Sequence, residues 1–273
     1  MATQKERGER FRALHEAPGA FLIPNPWDIG SALVLEGLGF QALATSSAAS
    51  AAVIGRKDGM LSREQAIAHA RAIVEATSVP VSADLENGFG DSPEHVAETV
   101  RLAAEAGLVG CTIEDSTGIT DKPLYDLGLA TERITAAVEA AKRLGFPFTL
   151  TARAHNLLYG NPSVDEAIRR LQAYERAGAD VLFAPGLPDL TAVRTVCGAV
   201  KKPFNFMVGL KGKSFSVPDL VAAGVKRISL ATSLWRSAMT GLIEAAKEAR
   251  DAGQFTFVDT SIATPEIHKL MRI

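Results

Sequence analysis

AEAGLVGCTIE, residues 104–114, contains the pattern that decides the fold. A helical segment ends near Gly107, a short apolar run follows, and the carboxylate of Glu114 stands at the end of that run. A glycine between a helix and a strand is typical of a helix C-terminus in the left-handed conformation. The same joint recurs in EGLGF (36–40), RLGFP (143–147), ERAGAD (175–180) and VAAGV (221–225). The chain is therefore predicted to repeat a helix-strand unit.

Outward from these joints, the pattern predicts eight short strands that alternate with amphipathic helices. Helix starts are indicated by capping-box spacings at Ser62 and Ser163 and by the dipeptide Ser92-Pro93. Such repeats form a parallel sheet, and a chain of 273 residues has the size of one TIM-type (β/α)8 barrel. The predicted strands span residues 21–24, 42–45, 80–84, 110–114, 148–152, 181–184, 204–207 and 227–230.

The chain is predicted to be one α/β domain, residues 1–273, with a C-terminal helical extension, TPEIHKLMRI, suited to subunit packing. Apolar residues make up 47% and charged residues 22% of the chain, which suits one continuous core. The formal charge is -2 without a Lys/Arg cluster, so nucleic acid is not an expected partner. A charged N-terminus and the lack of a long apolar run predict no membrane partner and a cytoplasmic location. Cys111 and Cys197 stand apart, which indicates neither a disulfide framework nor a cysteine metal site.

Two connections after predicted strands are long, residues 46–61 and 115–130, and long loops in a compact domain are usually functional. The stretch 42–55 consists mostly of Ala and Ser. We interpret it as a loop that packs closely or contacts a ligand.

Polar side chains collect at the predicted C-terminal ends of the strands, where barrels of this type carry their active sites. Asp84 and Glu86 follow strand three, and the two-residue period of a strand would point both to the same side. Glu114 follows strand four and Arg153 strand five. Converging carboxylates raise one another's pKa unless a cation compensates them. Oxygen ligands without a His or Cys cluster favour Mg²⁺ or Mn²⁺, partly bound through water. Asp84 and Glu86 by themselves would more often cap the next helix. The hypothesis of a metal site therefore depends on all three carboxylates and Arg153 together.

The roles of four other side chains near the strand ends are less certain from the sequence, and two of them have alternative interpretations. Arg153 could neutralise a carboxylate, or, if a metal does so, its planar fork is free for a substrate carboxylate. Trp27, after strand one, could line the pocket or pack in the core. His155 is interpreted as structural rather than as an acid or base. Asn205 on strand seven is a candidate for substrate binding.

At these residues the sequence resembles the isocitrate lyase/phosphoenolpyruvate mutase superfamily over almost its whole length. SADLENGFG resembles that superfamily's D-x-D-x-G-[FY]-G metal motif. Each matching segment is short, but their order and spacing together are specific. In chain order they are NPWDIGSALVLEGLGFQALATSS (25–47), GRKDG (55–59), SADLENGFG (82–90), CTIEDS (111–116), TARAH (151–155) and FNFMVG (204–209).

The resemblance implies a (β/α)8 barrel whose last helix is exchanged between subunits of a homodimer or homotetramer. It implies that Asp84 holds Mg²⁺ directly, whereas Glu86 and Glu114 support the ion through water. Glu86 replaces the usual second aspartate, and its longer side chain should still reach a metal-bound water.

The same resemblance implies that Ser46, with neighbouring backbone amides such as that of Ser47, holds the carboxylate of a small substrate. Arg153, Asp58 and Glu114 complete the catalytic set. Asp58 is the candidate base if the substrate is a 2-hydroxy acid.

Two segments depart from the better-known members. The loop DSTGITDKPLYDLG (115–128) lacks the cysteine of the K-[KR]-C-G-H gating motif, so isocitrate lyase activity is not expected. LFAPGLPDL (182–190) offers no basic group for a phosphoryl group, so phosphonopyruvate-type P–C chemistry is only an alternative.

The expected function is a Mg²⁺-dependent carbon-carbon lyase or decarboxylase that acts on a small 2-oxo or 2-hydroxy di- or tricarboxylate through a metal-stabilised enolate. An oxaloacetate-like substrate is favoured because decarboxylation needs no strong base to begin. A non-catalytic 2-oxo acid binding protein is a further alternative, whereas a purely structural barrel would bind neither metal nor anion.

Overall fold

The computed structural model describes residues 2–159 and 162–272. Eight parallel strands form one sheet: β1 (Phe21–Ile23), β2 (Leu43–Ala44), β3 (Val81–Asp84), β4 (Gly110–Glu114), β5 (Thr149–Arg153), β6 (Val181–Phe183), β7 (Phe204–Met207) and β8 (Arg227–Ser229). Their order is β1-β8-β7-β6-β5-β4-β3-β2. The two ends of the sheet meet where the amide of Ala44 donates to the carbonyl of Pro24 at 3.1 Å. The sheet is therefore a nearly closed barrel, and the predicted (β/α)8 fold class is confirmed.

Helices alternate with the strands as the capping signals predicted. The hydroxyls of Ser62, Ser92 and Ser163 each accept the amide three residues later. None of the helices within the described residues has the length and apolar character needed to cross a bilayer. The helices are α1 (Gln4–Glu16), α2 (Ile29–Gly37), α3 (Ser47–Val53), α4 (Arg63–Ala76), α5 (Pro93–Glu105), α6 (Leu127–Lys142), α7 (Val164–Ala177), α8 (Leu190–Ala199), α9 (Val217–Ala222), α10 (Ser233–Lys247) and α11 (Thr264–Met271), with a π turn (Glu248–Ala252) and a 3-10 turn (Thr256–Thr260) between the last two.

The glycine joints behave as predicted. All five predicted glycines have a positive φ, between 72° and 102°, where a residue with a Cβ would be strained. They are Gly39, Gly107, Gly145, Gly178 and Gly224. Each glycine reverses the chain from a helix into the strand that follows, so these joints fix where each of those strands begins.

Apolar side chains fill the space between the strands and the surrounding helices and also close one end of the barrel. Phe11 of α1 is fully buried against Ile23, Ala42 and Val109, the last two of which stand just before strands. Because α1 seals the end where the strands begin, the open mouth of the barrel is at the carboxyl ends of the strands.

The interpretation of residues 42–55 as a loop is wrong. β2 occupies Leu43–Ala44, and α3 follows at Ser47–Val53. Alanine is the residue most favourable to a helix, so a run of Ala and Ser after a strand can form a short helix without an amphipathic pattern. The connection from 46 to 61 is thus a helix followed by a shorter loop that carries Asp58.

The helix that follows β8 does not join the outer ring as the others do. No residue of α10 is buried, whereas Leu242 and Ile243 on it are 59% and 50% exposed. The predicted C-terminal helix is present as α11, and it packs against α2 of the same chain. The approach is close, because a Cβ placed on Gly37 would lie 1.9 Å from the carbonyl oxygen of Leu270. The apolar side of α10 is left without a covering layer in the single chain.

Candidate active site

Three strand ends bring an arginine between two carboxylates at the mouth of the barrel. Asp84, Glu114 and Arg153 are the last residues of β3, β4 and β5, and Glu114 pairs with Arg153 in the sheet register. Nη1 of Arg153 lies 3.3 Å from Oε2 of Glu114 and 3.8 Å from Oδ2 of Asp84. All three side chains are at most 16% exposed. These predicted residues are therefore adjacent in a site largely shielded from solvent.

Glu86 reaches this site by a different route from the predicted one. The strand ends at Asp84, and Glu86 has a φ of 49°, so the two-residue period of a strand does not orient it. The turn is held by the amide of Glu86, which donates to Oδ1 of Asp84 at 3.3 Å. A left-handed glutamate is strained, and such strain is often found at functional sites. Glu86 still lines the same cavity as Glu114 and Arg153.

The site has more negative charge than its arginine balances. Burial raises the pKa of Asp84, and the charges of Glu114 and Asp58 add to that effect against the opposing charge of Arg153. Burial and the charge of Asp84 raise the pKa of Glu86 to about 8. Burial also opposes ionisation of Glu114, but the charges of Arg153 and His155 outweigh it and lower its pKa.

These acids fit a divalent cation that is held partly through water. Burial and mutual repulsion raise the pKa values of Asp84 and Glu86, and a bound cation would offset both effects. Within the described ranges, no group of three His, Cys, Asp or Glu side chains is close enough together to enclose an ion directly. A site with few direct protein ligands and several waters is the coordination that Mg²⁺ prefers.

The protonation of Glu86 gives a testable pH dependence. In the metal-free protein the native state retains a proton on Glu86 between its ordinary pKa of 4.5 and its raised pKa of about 8, whereas the unfolded chain releases it. This group therefore makes the free energy of unfolding fall as the pH rises through that window. We expect Glu86→Gln to reduce the fall, as measured by urea denaturation in EDTA. The exposed control Glu132→Gln should follow the wild type, and identical pH slopes for Glu86→Gln and wild type would contradict the assignment.

The start of α3 lies directly against Asp84. The amide of Ser47 donates to Oδ2 of Asp84 at 3.4 Å, and the amide of Asp84 donates to the hydroxyl of Thr45 at 3.1 Å. Ser46 is 7% exposed, makes no side-chain cap to α3 and lines the inner cavity described below. The predicted Ser46 and Ser47 are thus placed beside the predicted metal ligand.

Two adjoining cavities occupy the mouth. The inner cavity, about 270 Å³, reaches down between the strands and includes Ser46, Asp84 and Asn205 in its wall. The outer cavity, about 620 Å³, lies under the loop after β4 and includes Glu86 and Glu114. Ser47, Asp58 and Arg153 line both cavities. Asp58 itself is exposed, on the loop after α3.

Two other predicted substrate contacts are placed differently from the rest. Asn205 is 1% exposed, and its side-chain amide donates to Oγ of Ser229 at 3.0 Å while its oxygen accepts from Arg227 at 2.9 Å. Trp27 is half-buried and is absent from the described walls of both cavities. Its carbonyl accepts from Nε2 of His69 at 2.8 Å, so it contacts the helix layer.

His155, interpreted from the sequence as structural, lies in the site. Nδ1 of His155 is 3.1 Å from Oε1 of Glu114, and Nε2 is 3.1 Å from Nη2 of Arg153. Its position two residues after Arg153 was the available signal, because that spacing returns a side chain to the same side of an extended chain.

Asp115, the first residue after β4, anchors the surroundings of the site. Its Oδ1 accepts the amide of His155 at 2.8 Å, and its Oδ2 accepts from Arg170 at 2.9 Å and from Tyr174 at 2.5 Å. Its carbonyl accepts the amide of Tyr125 at 3.0 Å. Asp115 is therefore fully engaged by protein donors and supports the site from behind.

Known proteins resemble this chain in sequence and in fold. A family profile described as phosphoenolpyruvate phosphomutase matches residues 11–250. A Burkholderia cenocepacia protein, whose crystal structure is described in general terms as a lyase/mutase, is 49% identical, with a TM-score of 0.96 over 99% of this chain and 97% of that one. The 2-methylisocitrate lyase of Escherichia coli is 28% identical over 273 residues, 96% of this chain and 91% of that protein. The oxaloacetate decarboxylase of Bradyrhizobium diazoefficiens is 28% identical over 233 residues, 83% of this chain and 78% of that protein.

The two curated relatives are carbon-carbon bond lyases by name, which agrees with the predicted enzyme class. The predicted superfamily is confirmed by the profile match and by the solved structures that the chain resembles. From the barrel, the order of its site segments and these matches, we conclude that the chain belongs to the phosphoenolpyruvate phosphomutase family, within the superfamily shared with the isocitrate lyases.

Proposed function

We propose that this protein is a Mg²⁺-dependent lyase that cleaves a carbon-carbon bond next to the 2-oxo group of a small carboxylate, with decarboxylation of an oxaloacetate-like substrate as the leading reaction. The observation that carries the proposal is the position of Arg153 between Asp84 and Glu114 in a shielded cavity at the strand ends. Relatives named as an oxaloacetate decarboxylase and a 2-methylisocitrate lyase support the reaction class.

The residues fit a metal as described above, and Asp84 would hold it directly with Glu86 and Glu114 in support. A bound Mg²⁺ would supply a Lewis acid that polarises the keto oxygen of the substrate. The same oxygen ligands would also bind Mn²⁺.

The chain's own groups bind and orient the substrate. Ser46 and the amide of Ser47 would hold the carboxylate next to the 2-oxo group, since both lie beside Asp84 at the wall of the inner cavity. Arg153 would stabilise negative charge as it develops on the enolate oxygen during cleavage. Its guanidinium stacks 4.9 Å from the ring of Phe183, which fixes the direction of its fork.

Decarboxylation needs no base to start, because the electron pair of the breaking bond passes into the enolate as CO₂ leaves. A 2-hydroxy acid would instead require removal of the hydroxyl proton. Asp58 is then the proposed base, because it lines both cavities from an exposed loop and can approach a bound substrate. The loop after β4 lines the outer cavity with Thr117, Gly118, Ile119 and Thr120 and would shield the reaction from water.

The proposal is tested by a product-resolved screen with Mg²⁺ and an EDTA control. The panel contains oxaloacetate, methylated malates, isocitrate, methylisocitrate and phosphonopyruvate. We expect metal-dependent cleavage of one carbon-carbon substrate. Turnover of phosphonopyruvate alone would indicate P–C chemistry instead, and tight oxalate binding without turnover would favour a binding protein.

The expected exchange of the last helix does not suit α11, because α11 packs against α2 of its own chain. We propose that α10 is exchanged instead, between subunits of a homodimer or homotetramer. The helix has no buried residue, and apolar side chains remain exposed on it and beyond it, at Leu242, Ile243, Phe255 and Val258. Exposed apolar side chains concentrated in one region of a chain commonly mark a subunit interface.

Light scattering after size-exclusion chromatography tests the assembly. We expect an oligomer for the wild type and a smaller species for the double variant Leu242→Asp/Ile243→Asp, because both charges would have to be buried in the interface. The control Glu244→Gln, an exposed polar neighbour on α10, should assemble normally. A monomeric wild type at micromolar concentration would refute helix exchange.

A further inference from the structure

The floor of the inner cavity is formed in part by an arginine that the site described above does not use. Arg227 is the first residue of β8 and pairs in register with Asn205 of β7. It lines the inner cavity together with Ser46 and Arg153 but is only 4% exposed. Arg227 precedes Ser229 by two residues, so its backbone lies roughly 6 to 7 Å deeper along the strand, at 3.3 Å per residue.

The bonding of Arg227 is incomplete. Its Nε donates to Oδ1 of Asn205 at 2.9 Å, and Asn205 donates in turn to Oγ of Ser229 at 3.0 Å. Nη1 of Arg227 is buried and has no hydrogen-bond partner among the described residues. A guanidinium carries five N–H donors in a planar fork, so this side chain retains unused donors.

The positive charge of Arg227 is also uncompensated. Over residues 2–159 and 162–272, no carboxylate forms an ion pair with it, and burial alone lowers its pKa, to about 9. It is therefore still cationic at pH 7. Burial and the charge of Arg227 lower the pKa of the neighbouring His15 to about 3, so His15 is neutral at pH 7 and adds no charge of either sign.

An uncompensated buried cation is costly to a folded protein, and natural sequences tend to retain such costs at functional positions. A planar fork with free donors matches a carboxylate, which accepts two parallel N–H bonds. The site described above already provides for one carboxylate at Ser46, so a ligand that fills the inner cavity could carry a second one at the floor.

We propose that Arg227, with Ser229 beside it and Asn205 fixing its orientation, binds a second carboxylate of the substrate and so makes the enzyme selective for dicarboxylates. This inference rests on the proposed function, since it assumes that the substrate's first carboxylate lies at Ser46 and the amide of Ser47. Arg236 also lines the inner cavity, but it is exposed and already donates to the carbonyl of Gly209 at 2.9 Å. It provides the matched control.

The test compares dicarboxylates with monocarboxylates of equal length by calorimetry in the presence of Mg²⁺. The probes are malonate, succinate and glutarate against propionate, butyrate and valerate. We expect the wild type to bind at least one dicarboxylate about 10-fold or more tightly than the monocarboxylate of equal length. That is a typical gain for a charge-assisted hydrogen-bonded pair. Arg227→Met should reduce that ratio to about 1, whereas Arg236→Met should keep it.

A second variant and a stability measurement separate binding from a structural role. Arg227→Lys keeps the positive charge without the planar guanidinium. It should give a ratio of dicarboxylate to monocarboxylate affinity between those of the wild type and Arg227→Met. Ligand-free Arg227→Met should melt at or above the wild-type temperature, because an uncompensated charge has been removed, and dicarboxylates should no longer raise its melting temperature.

The proposal is overturned if the wild type shows no dicarboxylate preference, if Arg227→Met retains it, or if Arg236→Met removes it. It is also overturned if chloride or phosphate competes with the dicarboxylate at low millimolar concentration, which would make the floor an inorganic-anion site. Oxalate binding with Mg²⁺ reports the mouth of the site separately. If oxalate failed to bind to the wild type and to every variant, the proposed function would be refuted. The comparison of dicarboxylates with monocarboxylates would still decide the role of Arg227.

Discussion

Replacing Asp84 by alanine is expected to abolish Mg²⁺-dependent turnover, with a loss of about 10³-fold or more in kcat/KM, the size of effect that removal of a catalytic cation produces. Asp84 is the proposed direct ligand, and its oxygens also accept the amides of Ser47 and Glu86. The substitution therefore removes the cation ligand and two bonds that shape the surrounding turns. Affinity for Mg²⁺ should fall together with activity, which calorimetric titration of the metal would show.

The charge and the shape of Asp84 can be separated. Asp84→Asn keeps the shape of the side chain and an oxygen acceptor for one of the two amides, but not the charge. It should therefore lose less stability than Asp84→Ala and still lose metal-dependent turnover. Asp165→Ala changes an exposed carboxylate at the start of α7 and should retain wild-type kinetics. Metal-dependent activity surviving in Asp84→Ala would refute the assignment of the ligand.

Replacing Arg153 by methionine should reduce turnover by about 10² to 10⁴-fold, since it removes a preorganised donor aimed at developing negative charge. The effect on metal binding should be the reverse of that for Asp84. Arg153 is the cation nearest to Asp84 and Glu114, so its removal leaves the carboxylates with less positive charge. Mg²⁺ should therefore bind to Arg153→Met at least as tightly as to the wild type.

The separation of turnover from metal affinity is the decisive readout for Arg153. Arg153→Lys keeps a charge but not the bidentate fork, so it should restore only part of the activity. Arg236→Met, at an exposed arginine of the same cavity, should leave metal affinity unchanged. A parallel loss of metal binding and turnover in Arg153→Met would instead assign the arginine a structural role at the carboxylate cluster.

Much of the barrel could be predicted because its signals are local. A helix cap, a glycine with positive φ and a short apolar run each act within a few residues, so Ser62 and Gly107 indicated their elements correctly. The candidate residues were also found locally, since Glu114 and Arg153 stand at the ends of such runs.

What failed either lacked the regular period of a helix or strand or depended on neighbouring strands. The left-handed turn at Glu86 is held by a bond to Asp84, and no strand period describes it. α3 was missed because an Ala/Ser run carries no amphipathic pattern. The surroundings of His155 and Arg227 arise from neighbouring strands, and a charged residue at the start of an apolar strand, as at Arg227, was the one signal overlooked.

The anchoring of Asp115 separates the evolution of specificity from that of chemistry. The loop after β4 leaves and re-enters the barrel at one point, because the carbonyl of Asp115 accepts the amide of Tyr125 and Ser116 bridges to Leu124. The closed base isolates the tip from the strand ends, and a shorter or longer tip changes the entropy of loop closure only slightly. Residues 117–123 can therefore drift, shorten or lengthen under selection for new substrates while the carboxylates and Arg153 stay in register. One set of bond-breaking groups can in this way serve a lineage of enzymes that differ mainly in their lids.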